Sequence, residues 1–361
     1  MRIGIIGCGN IAPAYLTNLT RFDGLTVAAV ADLDVERAKA RATEFKVPRA
    51  CTPGELLRDD DIDLVVNLTI PKAHAPVGML AVKAGKHVYS EKPLGLDRVE
   101  GKKLIAAAKA KRVRVGCAPD TVLGAGIQCA RAAIDAGSIG KPVAATAFMM
   151  SHGPENWHPD PTFVYARGGG PLFDMGPYYV AAFITLFGPV KRVTGSARIT
   201  FPKRMITSKP KYGQMMKVEV PTHVVGVLEF ASGAVVNLIT SFDVWHHSLP
   251  NIEVHGTEGS MQVPDPNGFG GTVRVRRHDE AAWRDLPLVH RYADNGRGIG
   301  VADMVAAIRE KRPHRASGEM ALHVVDVMQA IVDASAKGRH ITPTTTCKQP
   351  AAMPVEGLAA R

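Results

Sequence analysis

The sequence is short of the features that mark membrane, secreted and zinc-stapled proteins. Its 361 residues hold five cysteines, Cys8, Cys51, Cys117, Cys129 and Cys347, an odd number, widely scattered and with no CxxC pair. That argues against a disulfide framework and against a metal site, and it fits a reducing compartment. No apolar run approaches the ~20 residues that a membrane span needs, and the N-terminus enters its first strand without a basic and apolar leader. A soluble, cytoplasmic protein is expected. There is also no block of Lys and Arg interleaved with aromatic residues. The net charge of +10 is spread along the chain with Asp and Glu among the basic residues, which argues against nucleic acid as a partner. The positive balance is left to serve solubility and the attraction of an anionic cofactor or substrate.

What is present begins at once. Arg2-Ile3-Gly4-Ile5-Ile6 is a short apolar run of the kind buried in a parallel sheet, and Gly7-Cys8-Gly9-Asn10-Ile11-Ala12 follows it directly. This matches a G-x-G-x-x-G/A dinucleotide fingerprint. Gly7 permits the sharp turn, Gly9 permits close approach of a pyrophosphate, and Ala12 permits close packing of the following helix on the strand. The free N–H groups at that helix start, Asn10 and Ile11 among them, would face the phosphates. Residues 25–31 form the next strand, and Asp32 at its end can accept both ribose hydroxyls. An acid at this position favours NAD over NADP, whose extra phosphate it would repel. Asp32 could instead cap the helix over 35–45, but Asp34 is better placed for that. Cys8 reads as a small space-filling residue inside the turn.

Strand and helix continue to alternate up to Cys117, which predicts a doubly wound parallel sheet with its ligand at the carboxyl ends of the strands. Two of those ends carry chemistry: Asn67-Leu68-Thr69-Ile70-Pro71-Lys72-Ala73-His74 and Glu91-Lys92-Pro93. Taken alone, Glu91 and Lys92 could be a solvated ion pair, and His74 a packed or capping histidine. Together with the fingerprint, in this order and spacing, these motifs resemble the Gfo/Idh/MocA oxidoreductases. The resemblance implies a nicotinamide cofactor and a small-molecule sugar, cyclitol or related polyol as substrate. It further implies that Lys92 is catalytic, that the Lys92-Pro93 bond is cis, and that Thr69, Pro71, His74 and Glu91 line the cofactor with Lys92.

After Cys117 the pattern changes to serial strands with glycine turns, ending in helices about 301–311 and 318–337. The expected fold is α/β: an N-terminal Rossmann domain (1–120), then an α+β domain with a largely antiparallel open sheet (121–341), and a tail (342–361) draped on the surface or disordered. The resemblance implies subunit contacts through that sheet, hence a homo-oligomer, a dimer or a tetramer.

In the second domain, Gly168-Gly169-Gly170-Pro171-Leu172-Phe173-Asp174-Met175-Gly176-Pro177-Tyr178 opens a helix that stops at Gly188-Pro189. Asp174 and Tyr178, four apart, are predicted to share one helix face. The segment resembles the family's Asp-x-Gly-x-His motif with one departure: Tyr178 stands where the histidine is usual. A Lys92 ammonium beside Tyr178 would stabilise its anion, so a Tyr178-Lys92 pair is the expected proton carrier, with Asp174 orienting the substrate or Lys92. His152 and His158, in the loop 151–159 with Trp157, are alternative replacements for the missing histidine and candidate substrate contacts; the loop could equally be a surface turn. His246 and His247 read as a polar strand end. The expected activity is hydride transfer between the nicotinamide and a secondary hydroxyl or ketone. The alternatives are a glycosidase-like reaction through transient oxidation, and a non-catalytic NAD(H)-binding regulator.

Overall fold

A computed structural model describes residues 1–358. The first half alternates strictly: β1 (Arg2–Ile6), α1 (Ala12–Leu19), β2 (Thr26–Ala31), α2 (Val35–Phe45), β3 (Ala50–Cys51), α3 (Pro53–Arg58), β4 (Leu64–Asn67), α4 (Pro71–Lys83), β5 (His87–Ser90), α5 (Arg98–Lys111) and β6 (Val115–Cys117). The strands pair in parallel in the order β3-β2-β1-β4-β5-β6. The order reverses beside β1, so a crevice opens at the carboxyl ends of β1 and β4. Local chemistry sets the helix starts. Asp34 accepts the Arg37 N–H at 3.2 Å and caps α2, while Asp97 accepts the N–H groups of Val99 and Glu100 and caps α5.

The second half contains α6 (Ala125–Asp135), β7 (Pro142–Met150), α7 (Gly170–Asp174), α8 (Gly176–Phe187), β8 (Val190–Arg198), β9 (Lys203–Met205), β10 (Met215–Lys217), β11 (His223–Phe230), β12 (Val235–Ser241), β13 (Ile252–Gly256), β14 (Gly259–Val263), β15 (Arg274–Arg277) and β16 (Arg284–Asp285). Helices α9 (Ile299–Arg309) and α10 (Gly318–Lys337) follow. Eight strands form one sheet in the order β16-β15-β14-β13-β7-β12-β11-β8, and β9 and β10 make a separate hairpin. The sheet is mixed, since β7 and β12 run parallel while the other pairs are antiparallel. Strand β14 and the short β9, β10 and β16 carry too few alternating residues to stand out from the sequence.

Every residue of α8 is buried, as expected of a helix that is apolar all round and lies at the centre of the fold. Helix α10 packs on α8, β8 and α5 and ties the halves together. Across the α5–α10 contact, Arg98 Nε lies 3.0 Å from the fully buried Asp326. The segment after α10 is pinned to the body. Thr344 and Thr345 donate to Asp326 Oδ2 at 2.9 Å each, the Met353 N–H donates to Gln128 at 2.7 Å, and the Met353 side chain is buried.

One local expectation fails. Asp174 and Tyr178 do not lie on a single helix, because α7 ends at Asp174 and α8 starts at Gly176. Pro177 has no N–H for the Phe173 carbonyl, and its ring would clash there. The Tyr178 N–H accordingly donates to Met175 O at 3.1 Å, leaving the Asp174 carbonyl free.

Candidate active site

The site is assembled on the carboxyl edge of the parallel sheet. At its start Gly7 has φ +105°, and a Cβ there would lie 2.6 Å from the Leu68 carbonyl, so the turn after β1 requires glycine. Gly9 is different: a Cβ there would meet nothing within 4 Å, which leaves the outer side of the turn open. The N–H groups of Gly9, Asn10 and Ile11 find no hydrogen-bond partner among the described residues. Open space beside unpaired N–H donors at a helix start fits a pyrophosphate.

Asp32 braces this turn. Its Oδ2 accepts the Cys8 N–H at 2.8 Å and its Oδ1 accepts the Asp34 N–H at 3.0 Å. Each carboxylate oxygen keeps a second lone-pair site, so a ribose can still be bound. Arg37 stands 3.5 Å from Oδ1 and 3.3 Å from Asp34, so the acid is partly neutralised. Leu33 and Ile70, after β2 and β4, are exposed aliphatic side chains, and the sequence reading passed over both.

The end of β4 is stitched to the turn after β5. Thr69 Oγ1 donates to Asn67 Oδ1 at 2.7 Å, and Pro71 opens α4. His74 is 1% exposed, with Nε2 at 2.9 Å from Thr69 O and Nδ1 at 2.8 Å from Pro93 O. Burial lowers its pKa although both carbonyls favour the charged form. With both ring nitrogens against backbone carbonyls, His74 offers none to a ligand. It holds two strand ends at a fixed separation.

Those strand ends carry the charged centre. The Lys92-Pro93 bond is cis. Lys92 Nζ donates to Asp174 O at 2.6 Å and to Asp174 Oδ1 at 2.9 Å. It also lies 5.0 Å from the centre of the Tyr178 ring. The helix break therefore has a consequence: the carbonyl released at Asp174 becomes the second ligand of the ammonium. Burial alone would lower the Lys92 pKa, but the electrostatic influence of Tyr178, Asp174 and Glu91 outweighs it, and the group is held above the ordinary lysine value. Glu91 is buried. Its Oε1 accepts the Tyr15 hydroxyl at 2.8 Å and its Oε2 accepts the Lys92 N–H at 3.1 Å.

Arg297 is a fourth charged member that sequence reasoning did not find. Its Nη1 lies 3.7 Å from Glu91 Oε1. Despite burial, Tyr178, Glu91 and Tyr15 push its pKa up. It sits in a glycine-flanked loop ahead of α9 with no motif around it. Tyr15 had a faint signal, three residues after Ala12 on the fingerprint helix.

Asp174 also lines a large cleft, walled by the segment 149–157, by β9 and by residues 242–247. His152 is in it, its ring stacked on Trp245 at 3.3 Å and 13°. Burial, then Arg204, lowers the His152 pKa, so it is neutral near pH 7. Trp157 lines the cleft and is largely exposed. His158 does not line it: Nδ1 accepts the Asp160 N–H at 3.0 Å, and the ring contacts Trp157 and Phe163 edge-on. His246 and His247, expected to be a mere strand end, line the cleft, because the chain leaves β12 before reaching them.

Two family models match this chain: "Oxidoreductase family, NAD-binding Rossmann fold" over residues 1–118 and "GFO/IDH/MocA C-terminal domain" over residues 127–262. Among curated relatives, a 1,5-anhydro-D-fructose reductase of Ensifer adhaerens is 27% identical, with 94% of this chain and 97% of the relative covered. An inositol 2-dehydrogenase of Saccharopolyspora erythraea is 31% identical over 81% of each chain. Among solved structures, a levoglucosan dehydrogenase in complex with NADH and L-sorbose shares the fold, with a TM-score of 0.81, 23% identity, and 96% and 99% of the two chains covered.

Proposed function

The chain belongs to the Gfo/Idh/MocA family of NAD-binding oxidoreductases, and from that premise we propose that it interconverts a secondary hydroxyl and a ketone on a sugar, cyclitol or related polyol. The observation that carries the reading is the largely buried Lys92, paired with Asp174 beside Tyr178, on the edge that offers the phosphate turn and with Asp174 lining a cleft. Such an arrangement has no purpose in a protein that only senses a dinucleotide. Relatives named as a reductase of an anhydrosugar and a dehydrogenase of inositol support the substrate class.

Gly7, Gly9, Asn10 and Ile11 would hold the pyrophosphate, Asp32 the ribose, and Thr69, Pro71, Glu91 and Lys92 the rest of the cofactor. Bound there, the nicotinamide supplies the hydride acceptor or donor. The protein's own part is positioning and proton transfer. Lys92, fixed by Asp174, donates a hydrogen bond to the reacting oxygen. Tyr178 takes the hydroxyl proton in oxidation and returns it in reduction. A spectrophotometric screen of sugars, cyclitols and their keto forms with NAD(H) and NADP(H) tests this. Substrate-dependent change in reduced nicotinamide supports it. Conversion of glycosides without net redox change would favour the glycosidase-like alternative instead.

Asp32 and Arg37 set the cofactor preference in this reading. Asp32→Ala removes the repulsion and one of the two carboxylates that hold the Arg37 guanidinium, which can then turn to a 2′-phosphate. The ratio of KM values for NADP and NAD should shift toward NADP by at least about tenfold, ~1.4 kcal/mol. The ratio is the proper readout, because the variant also loses the Cys8 hydrogen bond. An unchanged ratio would remove Asp32 from the ribose site.

The proposal includes self-association. The face of the eight-stranded sheet turned away from α8 and α10 presents Phe148, Val225, Val227 and Ile239, which are only half-buried. Light scattering coupled to size exclusion should report a dimer or a tetramer.

A further inference from the structure

The cleft that reaches Asp174 is larger and more aromatic than a single sugar ring requires. It encloses about 1280 Å³, beyond the roughly 300–1,000 Å³ of pockets that bury a drug-sized ligand. Away from Asp174 its walls carry three exposed rings: Phe201, Trp157 at 69% exposure and Trp245 at 70%. Surface tryptophan at this density is costly unless it has a partner.

The rings are held in place rather than loose. Trp245 rests flat on His152, so one of its faces is fixed and the other is open. Behind them, the buried Arg204 links the segments from which all three side chains project. Its Nη2 donates to His152 O at 2.8 Å and its Nη1 to Phe242 O at 2.8 Å. It is ion-paired with Glu155 and, at 3.0 Å, with Asp243, and its guanidinium lies 5.8 Å from the centre of the Phe201 ring. A fully paired buried cation of this kind is justified when the geometry it fixes matters. Around the rings, Asn156, Lys203, His246 and His247 supply hydrogen-bonding groups suited to hydroxyls. Flat apolar platforms ringed by hydrogen-bonding groups suit the two kinds of surface that a saccharide presents.

The geometry points to a glycoside as the substrate: one sugar ring presents its hydroxyl to Lys92 and Asp174, while the group joined to it, a second sugar or an aryl aglycone, lies on the open face of Trp245. This rests on reading the cleft as the place where a sugar hydroxyl is oxidised. Binding energy gathered at Trp245, remote from the reacting carbon, then raises kcat/KM by fixing the reacting ring.

The test compares the monosaccharide, disaccharides and phenyl glycoside of the gluco, galacto and manno series on wild type, Trp245→Ala, Trp245→Phe and Trp157→Ala. Two quantities are read: kcat/KM with NAD, and quenching of intrinsic fluorescence, since two of the three tryptophans line the cleft. At least one glycoside should exceed its monosaccharide more than tenfold in kcat/KM and should saturate the quenching at lower concentration. That ratio should collapse to within about twofold in Trp245→Ala and recover in part in Trp245→Phe, which keeps a stacking face. Whether disaccharide or phenyl glycoside wins identifies the second group. Monosaccharides used as well as every glycoside, or a ratio intact in both alanine variants, would overturn the inference while leaving the oxidoreductase reading in place. Saturable quenching by glycosides without any nicotinamide redox change would do the reverse. No quenching by any member of the panel overturns the glycoside site.

Discussion

Replacing Lys92 by methionine should lower kcat/KM by about three orders of magnitude, ~4 kcal/mol of transition-state stabilisation. The size follows from what the ammonium does. It is buried, its position is fixed twice over by the Asp174 carbonyl and carboxylate, and its surroundings keep it cationic. A charge placed in advance where an oxygen gains negative charge costs no reorganisation during the reaction. Methionine keeps the volume and removes only the charge. The partner carboxylate of Asp174 is 37% exposed and stays hydrated, so the fold should lose no more than about 1 kcal/mol. The loss should therefore appear in kcat with a melting temperature lowered by no more than about 4 °C. Lys92→Arg should not rescue it, since a planar fork cannot occupy the place of a point charge against Asp174. Steady-state rates on any substrate found by the screen, beside a thermal melt, decide the matter. Activity within tenfold of wild type would move the chemistry away from Lys92.

The parts of this protein legible in its sequence are those fixed by local rules. A strand followed by Gly7-Cys8-Gly9 can turn only one way, so the phosphate turn and the parallel sheet around it could be read directly. Asp34 rather than Asp32 caps α2, as side-chain reach predicts. What escaped the sequence depends on residues far apart in the chain. Arg297 reaches Glu91 across more than two hundred residues, and Arg204 gathers Glu155, His152 and Asp243 from separate segments. No periodicity encodes such contacts. The break between α7 and α8 is the instructive intermediate case. Gly176-Pro177 was visible, but the pattern on either side reads as one helix, and only the break at Pro177, which leaves the Tyr178 N–H on Met175 O, reveals why the Asp174 carbonyl is available to Lys92. At His74 and His158 backbone groups compete for the ring nitrogens, Thr69 and Pro93 carbonyls at the first and the Asp160 N–H at the second, and residue type alone does not reveal that competition.

Tyr178→Phe should reduce kcat about a hundredfold, the lower end of what a positioned proton carrier contributes. Tyr178 is buried at the start of α8, and the Lys92 ammonium lies 5.0 Å from its ring centre. Phenylalanine keeps the ring and its packing and removes only the hydroxyl that would take the substrate proton. Tyr178→His restores a group able to take that proton, so its activity should lie between those of phenylalanine and tyrosine. Recovery by histidine cannot arise from a purely structural role, because phenylalanine fills the same space as tyrosine better than histidine does. If Tyr178→Phe turns over within threefold of wild type, proton transfer belongs to another group. The next to test is then His152, the neutral imidazole that shares the cleft with Asp174.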